Sequence, residues 1–166
     1  WGFGGGYTQA PDLDFAGVSR PMDYGYHMGA FVGWRQSEEV SLNAEFGFSE
    51  SEYKGFASSL QTLSVMLNAV YVCDTGDFWR PYLSAGAGTI EVNFDRSTAG
   101  PFLPLTAGVG GSEWAFGYQG GAGIAFSVDE THAITVGYRY QAAEDVTISG
   151  RNVEYASHNI TIGVVF

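Results

Sequence analysis

The sequence is short of several things that would have placed it elsewhere. None of its 166 residues belongs to an apolar run near the roughly 18 residues that a membrane helix requires. A helical span is therefore excluded. Cysteine is nearly missing: Cys73 stands alone, so no internal disulfide can form, and it reads as a buried or idle thiol. Charged residues are few, at 15%, and cations fewer still, with seven Lys and Arg against eighteen Asp and Glu and a net charge of −11. That balance excludes a nucleic-acid partner, because nothing could release counterions along a phosphate backbone. An acidic surface suits divalent cations or basic partners. The chain opens at Trp1 with no basic segment and no apolar segment after it, so a signal peptide is expected to have been removed.

What is present is glycine (24 residues), aromatic side chains (16%) and a strict two-residue alternation. The run from His158 to Phe166 puts Ile160, Ile162, Val164 and Phe166 on one face and Asn159, Thr161 and Gly163 on the other. Eight such segments are expected near 1–10, 22–35, 39–50, 59–73, 80–94, 113–127, 132–143 and 152–166. No domain boundary falls between them, so residues 1–166 read as a single domain. The connections alternate in length. Those at 11–21, 51–58, 95–112 and 144–151 are long, and those at 36–38, 74–79 and 128–131 are short. Outer-membrane barrels show this pattern, with short periplasmic turns and longer external loops.

The parities agree from strand to strand. Tyr24, Tyr26, Met28, Ala30, Val32 and Trp34 oppose Gly25, His27, Gly29, Gly33 and Arg35; Val40, Leu42, Ala44, Phe46 and Phe48 oppose Ser41, Asn43, Glu45 and Gly47. One face is apolar, and the other is expected to be polar or tiny. A soluble barrel would be apolar inside and charged outside, so the uncharged face must be the outer one. Aromatics supply an independent check. Tyr24, Tyr26, Phe46, Phe48, Trp114, Phe116, Tyr118, Tyr138 and Tyr140 fall at one set of strand ends. Trp1, Trp34, Tyr71, Phe78, Trp79, Phe126 and Phe166 fall at the other, with aliphatic positions between. Two girdles around an aliphatic band match the two interfaces of a bilayer.

The expected fold is therefore an all-β, eight-stranded antiparallel up-and-down transmembrane β-barrel. Particular segments carry a family resemblance: Gly2-Phe3-Gly4-Gly5-Gly6-Tyr7, Leu67-Asn68-Ala69-Val70-Tyr71, the stretch from Pro81 to Gly88, Gly120-Gly121-Ala122-Gly123-Ile124, Gly137-Tyr138-Arg139-Tyr140 and the terminal Phe166. With these, essentially the whole chain resembles the OmpA-like and opacity-type eight-stranded outer-membrane barrels. The resemblance implies the outer membrane of a Gram-negative bacterium, contact with membrane lipids and lipopolysaccharide, and Phe166 as part of the signal read by the barrel-assembly machinery. The sequence stops at Phe166, so the peptidoglycan-binding domain that some relatives append is not expected. Fold does not fix function.

An eight-stranded barrel is just wide enough for side chains to fill. The lumen candidates are Arg35, Glu45, Asn68, Gln119 and Arg139, with Asn43 and Asn159 beside them. Glu45 and Arg139 are expected to meet as a buried pair within a polar plug, and a narrow ion path is the alternative. Ester chemistry would need a serine activated by a histidine and an orienting carboxylate. The lipid A deacylase barrels place histidine and serine two apart on one strand face, yet His27, His132 and His158 have Gly29, Ile134 and Ile160 two residues on. No catalytic residue, cofactor or metal is expected, since the histidines are too scattered to share an ion.

External loops remain as the place where function would reside. Asp12, Asp14, Glu50, Glu52, Asp95, Glu113, Glu144, Asp145 and Glu154 are expected to make the outer mouth acidic, as a solvated rim or as a loose bridge to lipopolysaccharide through divalent cations. Residues 99–111 break that pattern by carrying no charge. Phe102, Leu103, Leu105 and Val109 in that loop form an apolar patch that either folds over the mouth or docks on a partner, another copy of the chain or a different envelope protein. A structural or adhesive role through these loops is the expected function, with a pore or a lipid-modifying enzyme as rivals.

Overall fold

The computed structural model describes residues 1–9, 13–15, 18–20, 24–52, 58–76, 78–96, 111–148 and 151–166. Ten strands run in chain order: β1 (Gly2–Gln9), β2 (Leu13–Phe15), β3 (Val18–Arg20), β4 (Tyr24–Arg35), β5 (Val40–Glu52), β6 (Ser58–Val72), β7 (Trp79–Arg96), β8 (Gly111–Ser127), β9 (Ala133–Ile148) and β10 (Arg151–Val165). Eight of them close a barrel in the order β1-β10-β9-β8-β7-β6-β5-β4, and β1 pairs with both β10 and β4. Every pair is antiparallel, and successive barrel strands pair with one another while β1 and β10 close the ring, as in an up-and-down meander. Closure leaves no unpaired strand edge, which lets a sheet cross a bilayer.

From β5 to β10 the strands outrun their sequence-read bounds at the external ends, while β1 ends at Gln9 and β4 starts at Tyr24, inside theirs. The loop read at 144–151 is mostly ladder, since β9 continues to Ile148 and β10 starts at Arg151. A shift between Val153 and Tyr155 accommodates the extra residue in that arm. Likewise β7 and β8 pair out to Phe94 and Gly111. The first external connection contains the small β2–β3 hairpin, with Leu13 opposite Arg20. Phe102, Leu103, Leu105 and Val109 lie outside the described residues.

The short turns are fixed by side chains that accept backbone hydrogen bonds. Ser37 Oγ accepts from the Val40 amide at 3.0 Å. Asp74 Oδ1 accepts from Gly76 at 3.0 Å, and Gly76 takes φ of +72°, which glycine alone adopts without strain. Asp129 Oδ1 accepts from the amides of Thr131 and His132, both at 2.8 Å. Beside that last turn, Phe166 stacks on Trp1 with ring centroids 4.2 Å apart and meets His132 edge-on at 5.1 Å. Aromatic contacts thus join the first and last strands where the barrel closes.

The girdles are outward-facing and exposed, from Tyr24, Phe46, Trp114 and Phe116 at one end to Trp1, Trp34 and Phe78 at the other. The lumen departs from the expected polar or tiny face. Leu60, Met66, Ile90 and Val92 all point inward and are almost fully buried. The inner face of β6 and β7 is mixed because the outer half of the lumen is a packed core, where an apolar side chain fills space without needing a partner.

Candidate functional site

Alternation on five strands aims polar side chains at one level of the lumen: His27 from β4, Glu45 from β5, Asn68 from β6, Gln119 from β8 and Arg139 from β9. Glu45 is the hub. Its Oε1 pairs with the Arg139 guanidinium, while Oε2 accepts from Asn68 at 2.9 Å and from Gln119 at 3.2 Å. Gln119 also donates to Asn68 Oδ1 at 2.6 Å and accepts from Gln141 at 3.2 Å. A second nitrogen of Arg139 meets His27 Nε2. Glu45 and Arg139 are each 14% exposed, so the pair is largely desolvated.

Arg35, grouped with the plug by its parity, stands at the periplasmic end of β4, where it lines the lower cavity of the lumen. It is exposed and makes no bond to this lattice among the described residues. Two register steps of β4 separate it from Phe31, which does face inward. His27, which was not grouped with the plug, joins the lattice through Arg139. The parity signal was visible, because His27 and Arg35 share a face, but height along the strand decides which of them reaches Glu45.

Above the lattice, toward the external loops, the lumen is filled. Thr8, Ser49, Ser51, Thr62, Gln141, Ser157 and Asn159 are buried there, with Met66, Ile90 and Tyr155 among them. Ser49 and Thr62 share a 2.5 Å hydrogen bond, and Tyr155 Oη lies 3.4 Å from Thr62 Oγ1. Below the lattice a cavity of about 460 Å³ opens among Phe31, Asn43, Val70, Arg80, Tyr82 and Thr135. Glycines make that room: a Cβ on Gly123 or Gly137 would strike the Tyr82 ring. The lumen is thus a cup, closed on the loop side and open toward the periplasmic turns.

Chemistry at the histidines is limited. His27 is bound to Arg139 inside the lumen, His132 to Asp129 in a turn, and His158 to Tyr138 on the outer face. None of the three has a serine hydroxyl as a hydrogen-bond partner among the described residues. No cluster of three or more His, Cys, Asp or Glu side chains gathers there either.

Solved structures resemble this barrel along its whole length. Neisserial surface protein A (NspA) superposes with a TM-score of 0.70 at 17% identity, covering 98% of this chain and 94% of that one. The attachment invasion locus protein Ail of Yersinia pestis gives 0.54 at 15% identity, covering 99% and 97%. The outer membrane enzyme PagL gives 0.57 at 17% identity, with both chains covered completely at 100%. At these identities the likeness is one of fold, and it spans a surface protein, an attachment invasion locus protein and an enzyme alike. Among curated protein sequences no relative matches. The model of the outer membrane protein β-barrel domain matches residues 1–166, and with the closed barrel and its two aromatic girdles it places the chain in that family, in the outer membrane of a Gram-negative bacterium.

Proposed function

We propose that this protein is a structural or adhesive surface barrel, acting through its external loops rather than through its lumen. The observation that carries the reading is the packed outer half of the lumen, where Met66, Ile90, Val92, Ser157 and Asn159 are each less than 2% exposed. A packed core at that level supports a lumen without a continuous wet path among the described residues, and hence a barrel that serves as a rigid mount. Ail, named for attachment and invasion, and NspA, named as a surface protein, lend the adhesive version support. The lattice around Glu45 is then a structural plug. Phe166 belongs to the assembly signal, and the uncharged loop at 99–111 is the contact surface for another copy or another envelope protein.

The test is a deletion of residues 101–109 in the full chain, displayed on cells that lack the protein. The expected outcome is a barrel that still folds but no longer supports adhesion or co-purifies as a complex. Unchanged attachment and complex size would reject the loop as the working surface. In planar bilayers the intact protein is expected to give no steady single-channel steps, and regular steps would favour the pore. Incubation with lipid A is expected to release no fatty acid, and a released acyl chain would favour the enzyme.

A further inference from the structure

On the outer face of the barrel one polar constellation leaves N–H donors without a partner among the described residues. His158 on β10 points away from the lumen and is exposed. Its Nδ1 lies 2.5 Å from Tyr138 Oη, and its ring stacks on Tyr138 with centroids 6.0 Å apart and packs at 5.4 Å from Tyr140. A phenol is the better donor and a neutral imidazole nitrogen the better acceptor, so we assign the bond as donated by Tyr138, an assignment that leaves the ring proton on Nε2. The two tyrosine rings, both on β9, hold the imidazole from one side, and Nε2 has no hydrogen-bond partner among the described residues. The cross-strand partner of His158 on β1 is Gln9, exposed on the same face, with no side-chain hydrogen bond among the described residues. Directly opposed side chains stand about 5 Å apart at Cβ. Two unassigned N–H donors therefore sit side by side.

Their position gives the ligand class. Tyr138 and Tyr140 belong to the aromatic girdle on the loop side, so Gln9 and His158 stand at the outer interface, where lipid headgroups begin. Among the described side chains the outward neighbours of the pair are Tyr7 and Tyr24 beside Gln9 and Ala142, Ala156 and Ile160 beside His158, none of them a carboxylate, and Glu144 lies beyond Ala142 toward the loops. A donor pair facing lipid without a partner costs free energy, and such polar positions mark sites.

We propose that His158 and Gln9 form a binding site for the phosphate of an outer-leaflet lipid, each donating one N–H to a phosphate oxygen while Tyr138 fixes the imidazole tautomer. The acyl chains of that lipid lie along the apolar wall below, over Ile160, Ile162 and Tyr7, which are all exposed. The site is independent of the loop-mediated function and would stand if that reading failed.

The full chain, labelled with ¹⁵N-histidine in phosphatidylglycerol nanodiscs, provides the test. A through-space contact between the His158 Nε2 proton and lipid phosphorus is expected, together with lipid that stays bound in native mass spectrometry. His158→Phe keeps the ring packing and is expected to weaken that retention roughly tenfold, the loss of one hydrogen bond to a charged group. Gln9→Leu is a second variant, in case the first folds poorly as judged by unboiled gel migration, and is expected to weaken retention as well. An Nε2 proton in contact with water but not with phosphorus, or retention unchanged in folded variants, overturns the site. Equal contact from inorganic phosphate in a sugar-based detergent overturns the lipid as its source.

Discussion

Replacing Glu45 by leucine removes the acceptor on which the lumen lattice converges, and the consequence follows from its three partners. Among the described residues Arg139 keeps only His27, and the amides of Asn68 and Gln119 lose the oxygen at 2.9 and 3.2 Å. Removing one partner of a fully buried ion pair costs about 3–5 kcal/mol. Here each charge is 14% exposed and the cavity of about 460 Å³ lies directly below, so water can reach part of the orphaned guanidinium. About 2 kcal/mol is the appropriate figure after that screening. Arg139→Met strips the same pair from the other side but leaves Glu45 with two amide donors, for a loss of similar size, about 2 kcal/mol. The double variant leaves no charge without its counterpart, so it is expected to lose about 2 kcal/mol less than the sum of the two single changes. Urea unfolding in detergent, followed by tryptophan fluorescence, reads this as midpoint shifts of about 1 M for each single variant, taking a slope of about 2 kcal/mol per M. Additivity within about 0.5 kcal/mol, or single variants with unshifted midpoints, would show that the pair does not hold the lumen together.

Three further outcomes are specific. Gly6→Val puts a branched Cβ against the Ile160 carbonyl oxygen across the β1–β10 seam, where backbone cannot yield; the folded fraction on an unboiled gel should fall sharply, and a wild-type yield would refute the close approach. Asp129 is held well below the usual carboxylate range, first by the Thr131 backbone amide and then by the His132 side chain. Since the depressed value belongs to the folded state, its contribution to the turn is complete above the ordinary aspartate range and is lost as pH falls through the depressed value. Carbon-13 titration of the Asp129 carboxyl should give a midpoint below that of a free aspartate, and a normal midpoint would remove the turn contacts from the argument. Phe166→Ala deletes the 4.2 Å stack on Trp1 and the edge contact with His132, worth about 0.5–1.5 kcal/mol each beyond area burial; refolding into vesicles should slow, and unchanged kinetics would confine these rings to a decorative role.

How far the sequence reveals this molecule depends on which physical constraint acts at each position. Strands are legible because a membrane barrel imposes one rule on every outward residue: Tyr24, Tyr26, Met28, Ala30, Val32 and Trp34 must all suit lipid, and a period-two pattern survives along β4 without interruption. The inner face obeys a looser rule, since a lumen position can be filled by any side chain whose polar atoms find partners. Met66 between Ser64 and Asn68 breaks no requirement, and it is almost fully buried in the upper core. That is why the expected polar or tiny lumen missed Leu60, Met66, Ile90 and Val92. Within the lattice, parity identifies which residues face inward but not their height, because register between strands far apart in sequence depends on the stagger that closes the barrel. Glu45 and Arg139 are on strands joined only through the rest of the ring, yet their charges leave one economical arrangement. Arg35 and His27 share a face on β4, eight residues apart, and only the barrel's stagger selects His27 as the neighbour of Arg139. The outward pair Tyr138 and His158 was hidden for a different reason. Each residue alone suits an interfacial girdle, and only the β9–β10 register, with His158 opposite Tyr140 and Ile160 opposite Tyr138, brings the phenol to the imidazole on a diagonal. Lipid imposes the alternation locally, residue by residue, whereas the plug and the outer seam are set by stagger, a property of the closed ring as a whole.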